Sequence, residues 1–399
     1  MTPSAESSRL AAADAGTQDW RLWGPYLAGR QWGTVREDYS ADGDAWAYLP
    51  FDDSHRRAYR WGEDGIAGLT DAHGFLALAL ALWNGRDDRL KERYFGLTNG
   101  QGNHGEDVKE YWWHIDATPT HSYAETLYRY PQGAFPYAAL LAESARRGRE
   151  VAEFELADTG ILDGDRFFDV RVVHAKAAPD DICVEIQATN EGPDAAPLHL
   201  VPQLWFRNTW AWGRDDRIPS LRLTSGPGEA VAIEAHHDFL GDLRLEVDDP
   251  EARALFCDNE TDSVALFGTE SNRTPWPKDG VGRAIVDGDE HMVNPAGTGT
   301  KAGIHRVWEA VAPGETVRLR LRLRPASATG PAFAGSVDPR GSSDAGDGGG
   351  GGDRDGFEEV VTRRREEAEA FYAEVLPDYV DDVDRVVARR AFAGLLWCK

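Results

Sequence analysis

The chain of 399 residues has little cysteine, little methionine and very little lysine. Its three cysteines, Cys183, Cys257 and Cys398, lie far apart without CxxC or Cys/His ligand spacing, which argues against a zinc site or a disulfide framework and leaves them as reduced thiols. No window of about 18 uninterrupted apolar residues occurs, and no basic segment precedes a short apolar run near the start. Membrane insertion and secretion therefore lack support, and the cytoplasm is the expected location. A GxSxG elbow, a P-loop and a GxGxxG after a strand are all missing, and the run Gly348 to Gly352 lacks the Lys-Ser/Thr that phosphate binding requires. Phosphoryl and hydride transfer are set aside, and no cofactor or metal is expected.

Six lysines (Lys91, Lys109, Lys176, Lys278, Lys301 and Lys399) stand among 43 basic residues, against 68 acidic ones. The formal charge of −25 repels nucleic-acid phosphates and anionic lipid, so neither nucleic acid nor membrane is an expected partner and a neutral ligand suits the surface better. An arginine-rich, acidic balance fits a halophilic source, where screening lengths fall to about 3 Å at 1 M salt. A high-GC mesophile gives the same composition through codon bias.

Residues 1–18 are rich in Ser, Ala, Thr and Asp and read as a disordered or loosely attached tail. Residues 19–335 read as one large β domain. Leu76, Leu78, Leu80 and Leu82 alternate with alanines, which predicts a strand buried on both faces. Tyr111, Trp113 and Ile115 alternate with Trp112, His114 and Asp116. Period-two segments recur at Phe168 to Val172, Ile182 to Ile186, Leu198 to Leu204 and Leu243 to Val247, and most sharply at Val317, Leu319, Leu321 and Leu323 interleaved with arginines. One short helix is predicted at 136–149, opened by Pro136. Many antiparallel strands separated by turn signals indicate a mainly β fold, a large antiparallel β-sandwich.

Residues 336–356, rich in Gly, Asp and Ser, predict a linker or insertion. Residues 357–399 then carry two helical patterns. The second presents Phe392, Leu396 and Trp397 near the last residue, so the expectation is that the surface covering them belongs to a continuing chain.

The densest mixture of aromatic and polar residues lies at 60–123. Sugar sites need flat apolar faces for C–H stacking, with carboxylates, amides and imidazoles for the hydroxyls. The candidate substrate-binding residues are Trp61, Glu63, Asp64, Asn103, His104, Glu106, Asp107 and His121. Several residues of this region have a plainer reading. Trp61, Trp112 and Trp113 also suit sheet packing, Glu106 and Asp107 suit loop hydrogen-bonding, and His104 and His121 suit satisfied structural histidines, since no HxH or HExxH spacing accompanies them.

The stretches 30–39, 59–65 (Tyr-Arg-Trp-Gly-Glu-Asp-Gly), 92–99 (Glu-Arg-Tyr-Phe-Gly-Leu-Thr-Asn), 102–110, 118–123 (Thr-Pro-Thr-His-Ser-Tyr) and 204–210 (Leu-Trp-Phe-Arg-Asn-Thr-Trp) resemble glycoside hydrolase family 63, the processing α-glucosidase family. The similarity runs from about Trp20 onward, with 391–399 resembling the start of the family's barrel; the Gly-rich insertion is the main departure. The resemblance implies a super-β-sandwich followed by an (α/α)6 barrel of which only the first helices are present. It also implies an inverting α-glycosidase acting on an α-glucoside or related oligosaccharide. Inversion needs an acid and a base roughly 6.5–9.5 Å apart. In the family both come from barrel loops, so no catalytic residue is expected among these 399 and the chain alone is expected to be inert. The 43 residues after Gly356 fall far short of twelve helices of about 11 residues each. Two other readings stay open: a stand-alone carbohydrate-binding sandwich, and a structural subunit supporting a separately encoded barrel.

Overall fold

The computed structural model describes residues 3–34, 49–59, 62–97, 101, 107–211, 213, 216–333 and 356–397. The strands in chain order are β1 (Trp23–Gly24), β2 (Ile66–Asp71), β3 (Leu76–Trp83), β4 (Gly96–Leu97), β5 (Asp107–Val108), β6 (Tyr111–Ala117), β7 (Tyr123–Pro131), β8 (Phe167–Ala178) and β9 (Asp181–Asn190). They continue with β10 (Ala196–Phe206), β11 (Ser220–Leu223), β12 (Ala232–His237), β13 (Gly241–Val247), β14 (Arg253–Cys257), β15 (Thr298–Gly299), β16 (Lys301–Val311) and β17 (Thr316–Pro325). The helices are α1 (Ala5–Asp14), α2 (Phe51–Ser54), α3 (Tyr137–Arg146), α4 (Ser263–Phe267), α5 (Gly280–Val286), α6 (Phe357–Val375) and α7 (Asp382–Leu396).

Two antiparallel sheets face each other. One runs β1-β2-β3-β10-β16-β14 and the other β15-β11-β12-β13-β17-β9-β8-β7-β6, with β4-β5 a separate small hairpin. Between them lies one continuous apolar core. Leu76, Leu78, Leu80, Leu82, Leu198, Leu200, Leu204 and Ile304 come from the six-stranded sheet, and Val170, Val172, Ile182, Val184, Ile186, Leu243, Leu245 and the Val317 to Leu323 series from the nine-stranded one. Alternation of period two thus puts each apolar set on the inner face, and the mainly β sandwich expected from the pattern is the observed fold.

The leucine and alanine strand is buried on both sides. Its leucines enter the core, while Ala77 and Ala79 meet Leu27 and Trp205 on the opposite face and Ala81 meets Leu90 and Val281. Alanines there let a covering layer approach closely: a Cβ on Gly65 would lie 2.4 Å from that of Ala79. This layer, built from residues 20–34, 51–59 and 88–95 together with α5, carries the candidate site.

Of the arginines alternating along β17, Arg318 is exposed while Arg322 and Arg324 are buried. Arg322 pairs Asp181 through two bonds of 2.7 and 2.9 Å, and Arg324 pairs Glu246 at 2.7 and 3.2 Å, forks that suit guanidinium and carboxylate. Cys183 and Cys257 are buried free thiols, both pushed up to about 12 by burial.

Two expectations are corrected. Residues 5–14 are a helix, α1, not a loose tail. Its buried residues are Glu6 and Arg9, which seat it by charge and hydrogen bonds and leave no apolar stripe for a pattern search to find. The second concerns Leu396 and Trp397, whose covering surface is already present on the edge strand β6. There Trp397 stacks on His114 at 4.7 Å, Ala393 and Trp397 pack on Ala117 and Ala124, and Arg389 pairs with Asp116. Phe392 stacks on Tyr372 of α6 at 6.0 Å. The exposed apolar residues of α7 are Val383, Val386, Val387 and Leu395 together with Phe392, which is 38% exposed, so the expectation fails for Leu396 and Trp397 but not for Phe392. The Gly-rich segment 336–355 lies outside the described residues.

Candidate functional site

Glu63 and Asp64 follow Gly62 at the entry to β2, and Glu92 and Arg93 precede β4; each loop hydrogen-bonds through its backbone to the segment 28–29. Asp64 Oδ1 accepts from Arg93 Nε at 2.9 Å, and its Oδ2 accepts from the Trp32 backbone N–H at 3.1 Å. Glu92 Oε1 accepts from Lys301 Nζ at 2.8 Å, while Lys301 also donates to the Lys278 carbonyl at 3.1 Å. Glu63 Oε1 accepts from Asn259 Nδ2 at 2.7 Å, with the Lys278 ammonium 3.8 Å from its other oxygen. Lys278 donates to the Arg57 carbonyl at 2.8 Å and sits over the Tyr59 ring at 3.8 Å.

Burial dominates the electrostatics. It lifts Glu63 above the usual carboxylate range against the pull of Lys278, and it pushes Lys278 down to about 8 against the pull of Glu63. Glu92 is buried as well, yet Lys301 and Arg93 together hold it well below its ordinary value. The space among these residues is about 10 Å³, scarcely one water. A sugar does not fit there, so Glu63 and Asp64 support the site from behind.

What they support is an open groove of about 230 Å³ on the other side of Gly65. The segment Ala28 to Arg30 forms its floor, pinned by bonds from Gly65 N to the Ala28 carbonyl and from Tyr94 N to the Gly29 carbonyl, each 3.0 Å. The pinning residues adjoin Asp64 and Arg93, so that ion pair fixes the floor. Gly29 is required because a Cβ there would lie 2.5 Å from the Tyr94 ring. Tyr94 and Trp112 stack at 4.5 Å and 19°, and Trp397, His114, Val108 and Arg30 complete the lining. Burial holds His114 down at about 4, a neutral ring at neutral pH. The groove offers flat aromatic faces, a guanidinium and an imidazole, and no carboxylate among its described lining residues.

Of the eight candidates, Trp61, Asn103, His104 and Glu106 lie outside the described residues, as does the side chain of Asp107, whose backbone pairs with Leu97 in the β4-β5 hairpin. The described ends flanking them, Gly62, Leu97 and Val108, border the groove or its supporting loops. His121 stands apart, at φ +55°, edge-on to Tyr26 at 5.1 Å and tight against Gly24. Burial pushes it down to about 3. Sequence reasoning missed the role of Lys278, Lys301 and Asn259; the scarcity of lysine was the available signal, since Lys91, Lys109, Lys176, Lys278 and Lys301 are all buried. Trp112, for which sheet packing and a sugar platform both stood open, packs against the core and also lines an open groove. Among the described residues no group of three or more His, Cys, Asp or Glu could hold a metal ion, and no helix is long and apolar enough to cross a membrane.

With this geometry in hand, comparison with known proteins adds one firm relative. Uncharacterized protein YMR196W of Saccharomyces cerevisiae is 38% identical over 424 residues, a stretch that takes in 99% of this chain and 38% of the yeast protein. The chain therefore spans well under half the length of that relative. No protein-family model matches. Among solved structures, a candidate aldose 1-epimerase from Escherichia coli K12 superposes with a TM-score of 0.26 at 9% identity, over 53% of this chain and 67% of that one. A polysaccharide lyase does so with a TM-score of 0.30 at 14% identity, over 71% of this chain and 28% of that one. Both names describe carbohydrate-active enzymes, but likenesses this slight carry no argument about activity.

Proposed function

We propose that this chain is the sandwich domain of a larger glycosidase of the family 63 kind, and that the Tyr94, Trp112 and Trp397 groove forms part of the rim of its substrate site. The supporting observation is the half-buried Trp112 on the wall of an open groove, stacked on the buried Tyr94 ring and backed by the Asp64 and Arg93 ion pair. Rigid aromatic faces beside a guanidinium suit a neutral sugar, whose C–H face stacks and whose hydroxyls take hydrogen bonds. Because its described lining holds no acid or base suited to glycosidic cleavage, the groove binds and orients. On this reading the carboxylic acid and the water-activating carboxylate, roughly 6.5–9.5 Å apart for inversion, come from helical segments beyond the matched stretch, and most of the yeast relative's length lies outside that stretch.

The experiment is hydrolysis of a panel of α-glucosides and α-mannosides by the 399-residue chain and by the full-length product of its gene, each as wild type and Trp112→Ala. Activity confined to the full-length protein and reduced about tenfold or more in kcat/KM by Trp112→Ala, equivalent to about 1.4 kcal/mol, supports the reading. Turnover by the 399-residue chain alone, or a Trp112→Ala enzyme within twofold of wild type, overturns it.

A further inference from the structure

A second cleft, of about 410 Å³, opens at the end of the sandwich where β3 begins, β10 ends and the β12-β13 hairpin turns. The hairpin carries a three-residue turn, Asp238, Phe239 and Leu240, between paired His237 and Gly241, with Gly241 at φ +75° closing it in the left-handed region that such turns need. The turn is braced by a side chain. His237 Nδ1 accepts the backbone N–H of Phe239 at 3.1 Å and of Leu240 at 3.2 Å, which fixes the neutral ring's proton on Nε2.

The braced ring belongs to an aromatic pile. His237 stacks on Phe206 at 5.6 Å and leans on Phe75 at 4.7 Å, while Phe239 meets His73 edge-on at 4.8 Å. Yet Phe239 is 64% exposed and its neighbour across the cleft, Ile218, is 56% exposed. Around them stand groups of both hydrogen-bonding senses. Arg217 pairs Asp238 at 3.4 Å, His236 Nδ1 bonds Asp242 at 2.6 Å, and Thr209 lines the wall.

Phe239 and Ile218 together form an exposed apolar face set in a concave cleft and rimmed by polar groups, the arrangement that marks a ligand-binding groove. Three observations define that ligand. The cleft is concave and within the range of small-molecule sites, roughly 300–1,000 Å³. Asp238 and Asp242, on a chain of net charge −25, repel anions. The polar groups ring a flat aromatic face and combine a carboxylate acceptor with a guanidinium donor, the pairing that two adjacent sugar hydroxyls satisfy.

We infer that this cleft is a second carbohydrate site, in which a neutral pyranose stacks on Phe239 and Ile218 and hydrogen-bonds Asp238 and Arg217. It is independent of the Trp112 groove, being built from other strands at the hairpin end of the sandwich, and it would anchor a glycan without cleaving it.

The test is saturation-transfer NMR and affinity titration of the 399-residue chain with maltotriose and with cellotriose, using wild type, Phe239→Ala, Phe239→Trp, Asp238→Asn and Trp112→Ala. The expected result is a saturable signal for at least one trisaccharide, weakened about tenfold or more by Phe239→Ala and by Asp238→Asn, kept by Phe239→Trp, and kept by Trp112→Ala. Thermal melting of Phe239→Ala should match wild type, because the side chain is exposed. Binding that disappears in Trp112→Ala and ignores Phe239→Ala overturns this inference while leaving the proposed function standing. No binding of either sugar overturns it too, as does self-association in sedimentation that Phe239→Ala abolishes, which would make the patch a contact between copies.

Discussion

One carboxylate oxygen of Glu6 accepts both the backbone N–H and the hydroxyl of Thr120, each at 2.7 Å, across a separation of 114 residues. Its other oxygen takes the Ser122 hydroxyl at 2.7 Å and Arg9 Nε at 2.9 Å. Glu6 is fully buried, so its charge is supported by four bonds in place of water. Arg9 continues to Glu367 of α6 at 2.8 Å, and Lys176 donates to the carbonyls of Trp20, Trp23 and Thr120. The turn at 118–123 is thus a clamp that holds α1 and α6 on the sandwich.

Removing the carboxylate should release the clamp. Glu6→Ala leaves Arg9 and three donors short of a partner, and breaking a buried ion pair of this kind costs about 3–5 kcal/mol. Urea unfolding followed by circular dichroism should show that loss, and hydrogen exchange should show the amides of residues 5–14 losing protection. A midpoint within experimental error of wild type would mean that the helix contributes nothing to stability.

His121, in the same turn, should make stability depend on pH. Its native value near 3 lies below the ordinary 6.5, so between those limits the unfolded chain binds a proton that the folded chain does not. Stability from this residue is full above about pH 6.5 and is lost as pH falls toward 3. At pH 5 the loss is about 2 kcal/mol, from roughly 1.5 units at 1.36 kcal/mol each. His121→Asn, which tolerates the positive φ, should lower stability at pH 7 through lost packing, yet lose less than wild type between pH 7 and pH 5. Equal slopes for the two proteins would show that this ring does not carry the effect.

How far the sequence could be read follows from these same residues. Strands whose inner face is apolar announced themselves, because Val317, Leu319, Leu321 and Leu323 obey a period set by the pleat alone. The helix α1 did not, because polar contacts seat it and polar residues look like a solvated tail. The motif of Glu63 and Asp64 was conspicuous, but Glu63 depends on Lys278 and Asn259, and the neighbouring Glu92 on Lys301, distant partners that no spacing rule connects. A dense polar motif reads alike whether its carboxylates face a ligand or a buried lysine.

That distinction gives a direct prediction for Glu63. In the sealed cluster it balances Lys278 and takes the Asn259 amide, so Glu63→Ala should lower the unfolding free energy by about 3–5 kcal/mol. Double substitution with Lys278→Met should recover part of the loss, since it removes the stranded cation. Any sugar affinity of the Trp112 groove should stay within a few-fold of wild type. A Glu63→Ala protein of normal stability that fails to bind sugar would place this carboxylate in contact with the ligand after all.

The lysines offer a chemical test of the charge pattern. Each of Lys91, Lys109, Lys176, Lys278 and Lys301 is at most 2% exposed. Lys91 meets Glu110 at 2.6 Å, and Lys109 lies between Glu153 and Glu155 at 3.2 and 3.3 Å. Acylation of the native chain with an amine-reactive ester should therefore leave all five unmodified by peptide mass analysis, with full labelling only after unfolding. The described surface then carries its positive charge as arginine. With a net charge of −25, mutual repulsion of surface carboxylates should dominate the response to salt. Raising KCl from 0.1 to 1 M shortens the screening length from about 10 Å to about 3 Å and should raise the melting temperature. Exposed ion pairs such as Arg222 with Glu234 weaken under the same screening, but each contributes roughly 0–1 kcal/mol. A melting temperature that falls with KCl would mean that those pairs, and not the net charge, govern the surface.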